Sequence, residues 1–139
     1  MKLSQKTEYA LHSLLYLAYR SPDVILVDEI AADQNISKSY LAKVMQKLSK
    51  AGLVKSYVGA GGGYDLAKDP AEITFADVMR IFESEEYVLD CLAEKRGCTK
   101  KSSYCEMLTA IDDAYQTMLE ELEETSIADI LNSFSTTDD

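Results

Sequence analysis

Apolar positions Leu3, Ala10, Leu11, Leu14, Leu17 and Ala18 recur at the spacing of one helical face, and Pro22 closes the segment, which predicts a first helix over residues 3–19. Residues 24–27 form a short β-branched stretch. Asp28 then suits the cap of a second, short helix running through residue 33, with Asn35 in the turn behind it. Ser37 stands where another helix N-cap belongs, and Leu41, Val44, Met45 and Leu48 share one face of a third helix that stops at Gly52. A turn of about three or four residues between two such helices is the spacing of a helix-turn-helix.

Two strand patterns follow, Leu53-Val54-Lys55-Ser56-Tyr57-Val58 and Tyr64-Asp65-Leu66-Ala67, separated by Gly59-Ala60-Gly61-Gly62-Gly63. They predict a hairpin, a wing beside the third helix. The glycine run also invites a nucleotide-loop reading. Against it, position 64 is Tyr where a third dinucleotide-fold glycine would stand, and no Gly-Lys-Ser/Thr follows. A helix over residues 74–83, with Thr74 as cap and Val78, Ile81 and Phe82 inward, should close this domain.

Farther on, Leu108, Ile111, Tyr115, Met118 and Leu122 form a heptad seam within residues 106–124. The seam covers about two heptads, fewer than the three or four that secure a coiled coil, so a dimer interface and a helix lying on its own domain are both open. The expected fold is mainly α with a small β-wing. It comprises a winged helix-turn-helix domain over residues 1–84, a cysteine-bearing loop over 85–105, a long C-terminal dimerisation helix region over 106–132 and a frayed tail over 133–139.

Charge changes the picture once it is divided. The 139 residues include 14 basic and 24 acidic side chains, a net charge of −10 that on average argues against a nucleic-acid partner. Residues 36–58, however, carry Lys38, Lys43, Lys47, Lys50 and Lys55 with no acid, and the acidic excess lies in the second half. With its apolar stripe turned inward, the third helix is expected to present Lys38, Ser39, Lys43, Gln46, Lys47 and Lys50 outward. Such groups suit phosphates and base edges, with Gly61 and Gly62 of the wing as further contacts. No apolar run approaches the roughly 18 residues of a membrane span, and the polar start is unlike a signal peptide, so no membrane partner and a cytoplasmic location are expected.

Cys91, Cys98 and Cys105 are evenly spaced, with six residues between neighbours. Three thiolates lack a fourth ligand for a tetrahedral site, and the spacing leaves metal binding, redox-reactive thiols and plain free cysteines all open. His12 lies four residues after Glu8, which puts both on one helical face. They suit a shared ligand, or an ordinary exposed pair worth a few tenths of a kcal/mol.

Thr7-Glu8-Tyr9-Ala10-Leu11, Ile36-Ser37-Lys38-Ser39-Tyr40-Leu41, Ala51-Gly52-Leu53-Val54, Gly61-Gly62-Gly63-Tyr64-Asp65-Leu66-Ala67 and the cysteine trio together resemble the winged-helix iron-sulfur transcription regulator family that includes IscR and NsrR. The resemblance covers about residues 1–130. It implies a homodimeric repressor or activator that binds a double-stranded DNA operator and reads an iron-sulfur cluster near the dimer interface. The signal would be redox state, nitric oxide or cluster supply. Cys91, Cys98 and Cys105 match the family's three cysteines in order, each gap one residue longer than the usual five.

The family's fourth ligand varies. Nitric-oxide-sensing members resemble this chain in a carboxylate where Glu8 stands, supplied from the partner subunit, whereas cluster-biogenesis regulators use a histidine after the third cysteine, and none follows Cys105. Glu8 with His12 resembles a subgroup whose 2Fe-2S centre takes Glu and His from one chain and two cysteines from the other. A 2Fe-2S cluster is thereby favoured, with 4Fe-4S possible. The sequence shows no nucleophile–base arrangement and is read as neither an enzyme nor a binder of a small-molecule substrate. A rival keeps the fold but makes the protein a cluster or thiol-based carrier, or an interaction module, without sequence-specific DNA binding; the lysine face argues against it.

Overall fold

A computed structural model describes residues 2–83 and 106–135. Helix α1 (Gln5–Arg20) starts at Ser4, whose side chain accepts from the Thr7 N–H, and it buries Ala10, Leu14, Leu17 and Ala18. Leu3 lies before the cap and is exposed, so it does not join the inward face expected for it. Helix α2 (Val27–Gln34) begins two residues earlier than expected, with Leu26 rather than Asp28 at the N-cap and no side-chain cap bond. Asp28 is therefore inside the first turn, where a carboxylate still opposes the helix dipole. Asn35 adopts the left-handed conformation at φ 55° and ends the helix, and the Ile36 N–H returns to the Ala31 carbonyl at 3.0 Å.

Helix α3 (Lys38–Lys50) is capped by Ser37, whose side chain accepts from the Tyr40 N–H. It closes through paired bonds from Gly52 to Ser49 and from Leu53 to Leu48, both 3.0 Å. Strands β1 (Val54–Tyr57) and β2 (Gly63–Leu66) pair antiparallel, from Val54 opposite Leu66 to Tyr57 opposite Gly63. The β-branched stretch before α2 adds a third rung, because Ile25 and Tyr64 exchange two 2.8 Å backbone bonds. At Gly63 a Cβ would lie 2.4 Å from the Ile25 carbonyl oxygen, and at Gly62 it would lie 2.6 Å from that of Tyr57. Glycine at these two positions lets the wing fold tightly against itself and against the start of α2.

Helix α4 (Phe75–Phe82) opens on a capping box in which Thr74 accepts from the Asp77 N–H and Asp77 accepts from the Thr74 N–H. Val78 and Phe82 are buried as expected, with Ile81 half-buried. Ala76 and Met79 are buried on a second face, where they pack with Leu119 of helix α5 (Glu106–Leu122). The chain then forms a helix that the sequence reading folded into one seam and a frayed tail, α6 (Ile127–Ser135). Ser126 and Asp129 cap it reciprocally at 3.1 and 2.9 Å, the same device as Thr74 and Asp77. The two helix starts are joined: the Phe75 N–H donates to the Thr125 carbonyl at 3.0 Å, and the Ile127 N–H donates to that of Ile73 at 2.9 Å. Ile127 enters the main core with Ala10, Leu14, Leu17, Ile30, Leu41, Met45, Leu48 and Ile73, which seats α6 on α1. Among the described residues no helix is long and apolar enough to cross a membrane.

Candidate functional site

The outward face of α3 carries the groups the sequence assigned to it. Its apolar stripe is sealed, and Lys38, Ser39, Lys43, Gln46, Lys47 and Lys50 are all exposed. Two of the lysines are engaged within the chain. Lys38 Nζ lies 2.9 Å from Asp28 Oδ1, so the acid of α2's first turn offsets part of the charge at the start of α3. Lys47 Nζ lies over the Phe82 ring, 5.6 Å from its centre, and stays exposed. In the wing, Gly61 is exposed, whereas Gly62 is buried and its N–H donates to the Gly59 carbonyl at 2.9 Å. Gly62 thus shapes the hairpin.

Glu8 and His12 share the exposed face of α1, with Glu8 Oε1 4.0 Å from His12 Nε2. They line a polar cleft of about 260 Å³ with Tyr9, Asp33 and Gln34. His12 also borders an apolar groove of about 250 Å³ between α1 and α6, lined by Leu11, Leu15, Phe75, Ile127, Ile130 and Phe134. Metal bonds from histidine nitrogen and carboxylate oxygen are about 2.0–2.2 Å, so two donors 4.0 Å apart are close enough to share one ion. Among the described residues no group of three or more His, Cys, Asp and Glu side chains comes together to hold a metal ion. Cys91, Cys98 and Cys105 lie outside the described residues.

The expected seam divides. Tyr115, Met118 and Leu122 pack with the small cluster of Ala76, Met79 and Leu119 within the chain, whereas Leu108 is half-buried and Ile111 exposed. Other side chains at this site gave no sequence signal. Helix α1 meets α3 through Tyr9, whose ring stands edge-on to that of Tyr40 with centroids 5.6 Å apart. Gln34 Nε2 donates to Ser13 Oγ at 2.7 Å, and Ser13 Oγ donates to the Tyr9 carbonyl at 2.7 Å. The cap of α6 carried a signal that the sequence reading did not use, since Ser126-Ile127-Ala128-Asp129 is a capping-box pattern.

A capped helix pair with a short left-handed turn, a basic outer face on its second helix and a hairpin beside it defines a winged helix-turn-helix DNA-binding protein. The family model described as "Rrf2: Iron-dependent Transcriptional regulator" matches residues 3–133, and the chain belongs to this family. It is 33% identical over 132 residues to the HTH-type transcriptional regulator NsrR of Geobacillus kaustophilus, covering 94% of this chain and 90% of that protein. Among solved structures it resembles T. potens IscR, with a TM-score of 0.72 and 28% identity over 96% of this chain and 88% of the other. It also resembles CymR, the global cysteine regulator of B. subtilis, with a TM-score of 0.70, 30% identity, and coverage of 96% and 98%. The protein is an Rrf2-family transcription regulator, and the named relatives are regulators rather than enzymes.

Proposed function

We propose that operator binding by this regulator is controlled by an iron-sulfur cluster, 2Fe-2S in preference to 4Fe-4S, held in a cytoplasmic homodimer by Glu8 and His12 of one chain and two of the three cysteines Cys91, Cys98 and Cys105 of the other. The observation that carries this is the Glu8–His12 pair, two exposed donors 4.0 Å apart at the mouth of a polar cleft, which no third ligand among the described residues completes. Thiolates select iron-sulfur clusters, and an imidazole or carboxylate in the set shifts the potential or loosens an iron, which suits a sensor. The lysine face of α3 makes phosphate contacts and its amino-terminal residues meet base edges, while the wing lies alongside. Exposed Met107 and Ile111 on the first turns of α5 meet the α1–α6 groove of a second copy. That arrangement brings the cysteine segment, which ends one residue before α5, to the Glu8 and His12 of the other chain. Two reading helices on the two-fold axis then address half-sites about 34–36 Å apart.

The likeness to CymR favours one second reading, a regulator of the same fold that responds through its cysteine thiols without iron. Anaerobic purification followed by iron and sulfide analysis and visible spectroscopy separates the two. Stoichiometric iron and sulfide, with a spectrum altered by Glu8→Gln and His12→Ala separately, is the expected result. Iron-free protein whose operator affinity responds to thiol oxidation establishes the second reading.

A further inference from the structure

Glu83 is an acid buried where the end of α4 meets the start of α1, and the DNA-binding reading of α3 does not use it. It is only 7% exposed. Its Oε1 accepts from the Ser4 backbone N–H at 2.7 Å and from the Thr7 hydroxyl at 2.6 Å. Ser4 and Thr7 are the cap and first turn of α1, and their side-chain oxygens lie 3.2 Å apart. A carboxylate from the far end of α4 therefore completes the start of α1, where unpaired helix N–H groups favour negative charge. The residue before it, Phe82, presents its ring to Lys47 of the reading helix at 5.6 Å. Two consecutive residues thus hold the first helix with one side chain and a lysine of the DNA-binding face with the other. They are the last described residues before the segment that carries Cys91, Cys98 and Cys105.

We propose that Phe82 and Glu83 form a positioning joint for DNA binding: Glu83 fixes the start of α1 against the end of α4, and Phe82 fixes the Lys47 ammonium on the reading face. Neither residue touches DNA. The inference rests on the assignment of Lys47 as a phosphate contact and is independent of whether a cluster is bound.

The test measures operator affinity of the full-length protein at a temperature where circular dichroism shows each variant folded. Removing an acid from a DNA-binding protein should tighten binding by charge alone, whereas loss of the joint weakens it. Glu83→Ala is expected to weaken operator binding by about tenfold, within the usual range for coupling between sites. Glu83→Gln, which keeps an acceptor oxygen, should restore most of that loss, and Thr7→Val, which removes one donor, should give a smaller loss in the same direction. A folded Glu83→Ala or Thr7→Val variant that binds the operator as tightly as the parent, or more tightly, overturns the role of Glu83. For Phe82, Lys47→Ala should weaken binding in the parent and have less effect in a Phe82→Leu background. Equal effects in both backgrounds overturn the Phe82 half, and no effect of Lys47→Ala in the parent removes the underlying DNA contact.

Discussion

Helices α3 and α5 are both amphipathic, and their apolar stripes end differently. On α3, Leu41, Val44, Met45 and Leu48 are 0–2% exposed, so the stripe is used up inside the domain and the opposite face is left to charge. On α5 only Leu119, at 2%, reaches that state, against Ala76 and Met79 of α4, while Met107 is 67% and Ile111 37% exposed at the other end. A sealed stripe specifies a fold. A half-sealed one specifies a fold at one end and offers contact area at the other, and the offered end adjoins the cysteines.

Substitution separates the two kinds of stripe. Leu48→Ala should cost about 2–5 kcal/mol of folding stability in urea titration, the usual result of opening a cavity in a packed core. Ile111→Ala and Met107→Ala should cost little in a dilute monomer and shift a sedimentation profile toward smaller species. A loss of several kcal/mol at Ile111 with unchanged assembly would make α5 a core helix like α3. The outer faces differ in the same sense. Replacing Lys43 or Lys50 with Ala should leave stability within about 0.5 kcal/mol and reduce the salt slope of operator binding by about 1 each. A weakening that varied with operator sequence while the slope stayed constant would move these residues from phosphates to bases.

The smallest effect concerns the joint between α4 and α1. Burial pushes the Glu83 carboxyl up, but hydrogen bonds from Thr7 and Ser4 outweigh it and hold the group below the ordinary glutamate range. Because the folded value is depressed, this contribution is fully present above the ordinary value of about 4.3 and is lost as the pH falls through the lower folded one. Denaturation profiles between about pH 5 and pH 3 should therefore be steeper for the parent than for Glu83→Gln; identical profiles would remove Glu83 from the acid response.

How far the sequence was legible follows the range of the forces involved. Helices α1 and α3, the wing and α4 were readable because caps, glycines and 3.6-residue periodicity act within a few positions of each other. Asp28 misled because its side chain found Lys38, beyond the turn, rather than a cap. Helix α6 was overlooked although its capping box was present, since a nine-residue helix following a glutamate-rich seam is weak evidence until Ile127 reaches the core. At the site, the exposure of the α3 lysines and the pairing of Glu8 with His12 were local and readable. The engagement of Lys47 by Phe82 and of Thr7 by Glu83 joins residues 35 or more positions apart, and no local pattern announces it.

The joined starts of α4 and α6 have a topological consequence. The chain passes Thr74 on entering α4 and returns to the same point at Ser126, where the two residues form an antiparallel bridge. The stretch between them begins with α4, packed into the core, and ends with α5, and the bridge ties its two ends to one post. The entropy of closing a flexible loop grows only with the logarithm of its length, so adding one residue to about fifty changes it by roughly two hundredths of a kcal/mol. One residue more in each gap between Cys91, Cys98 and Cys105 therefore adds almost nothing to the cost of bringing Thr74 and Ser126 together.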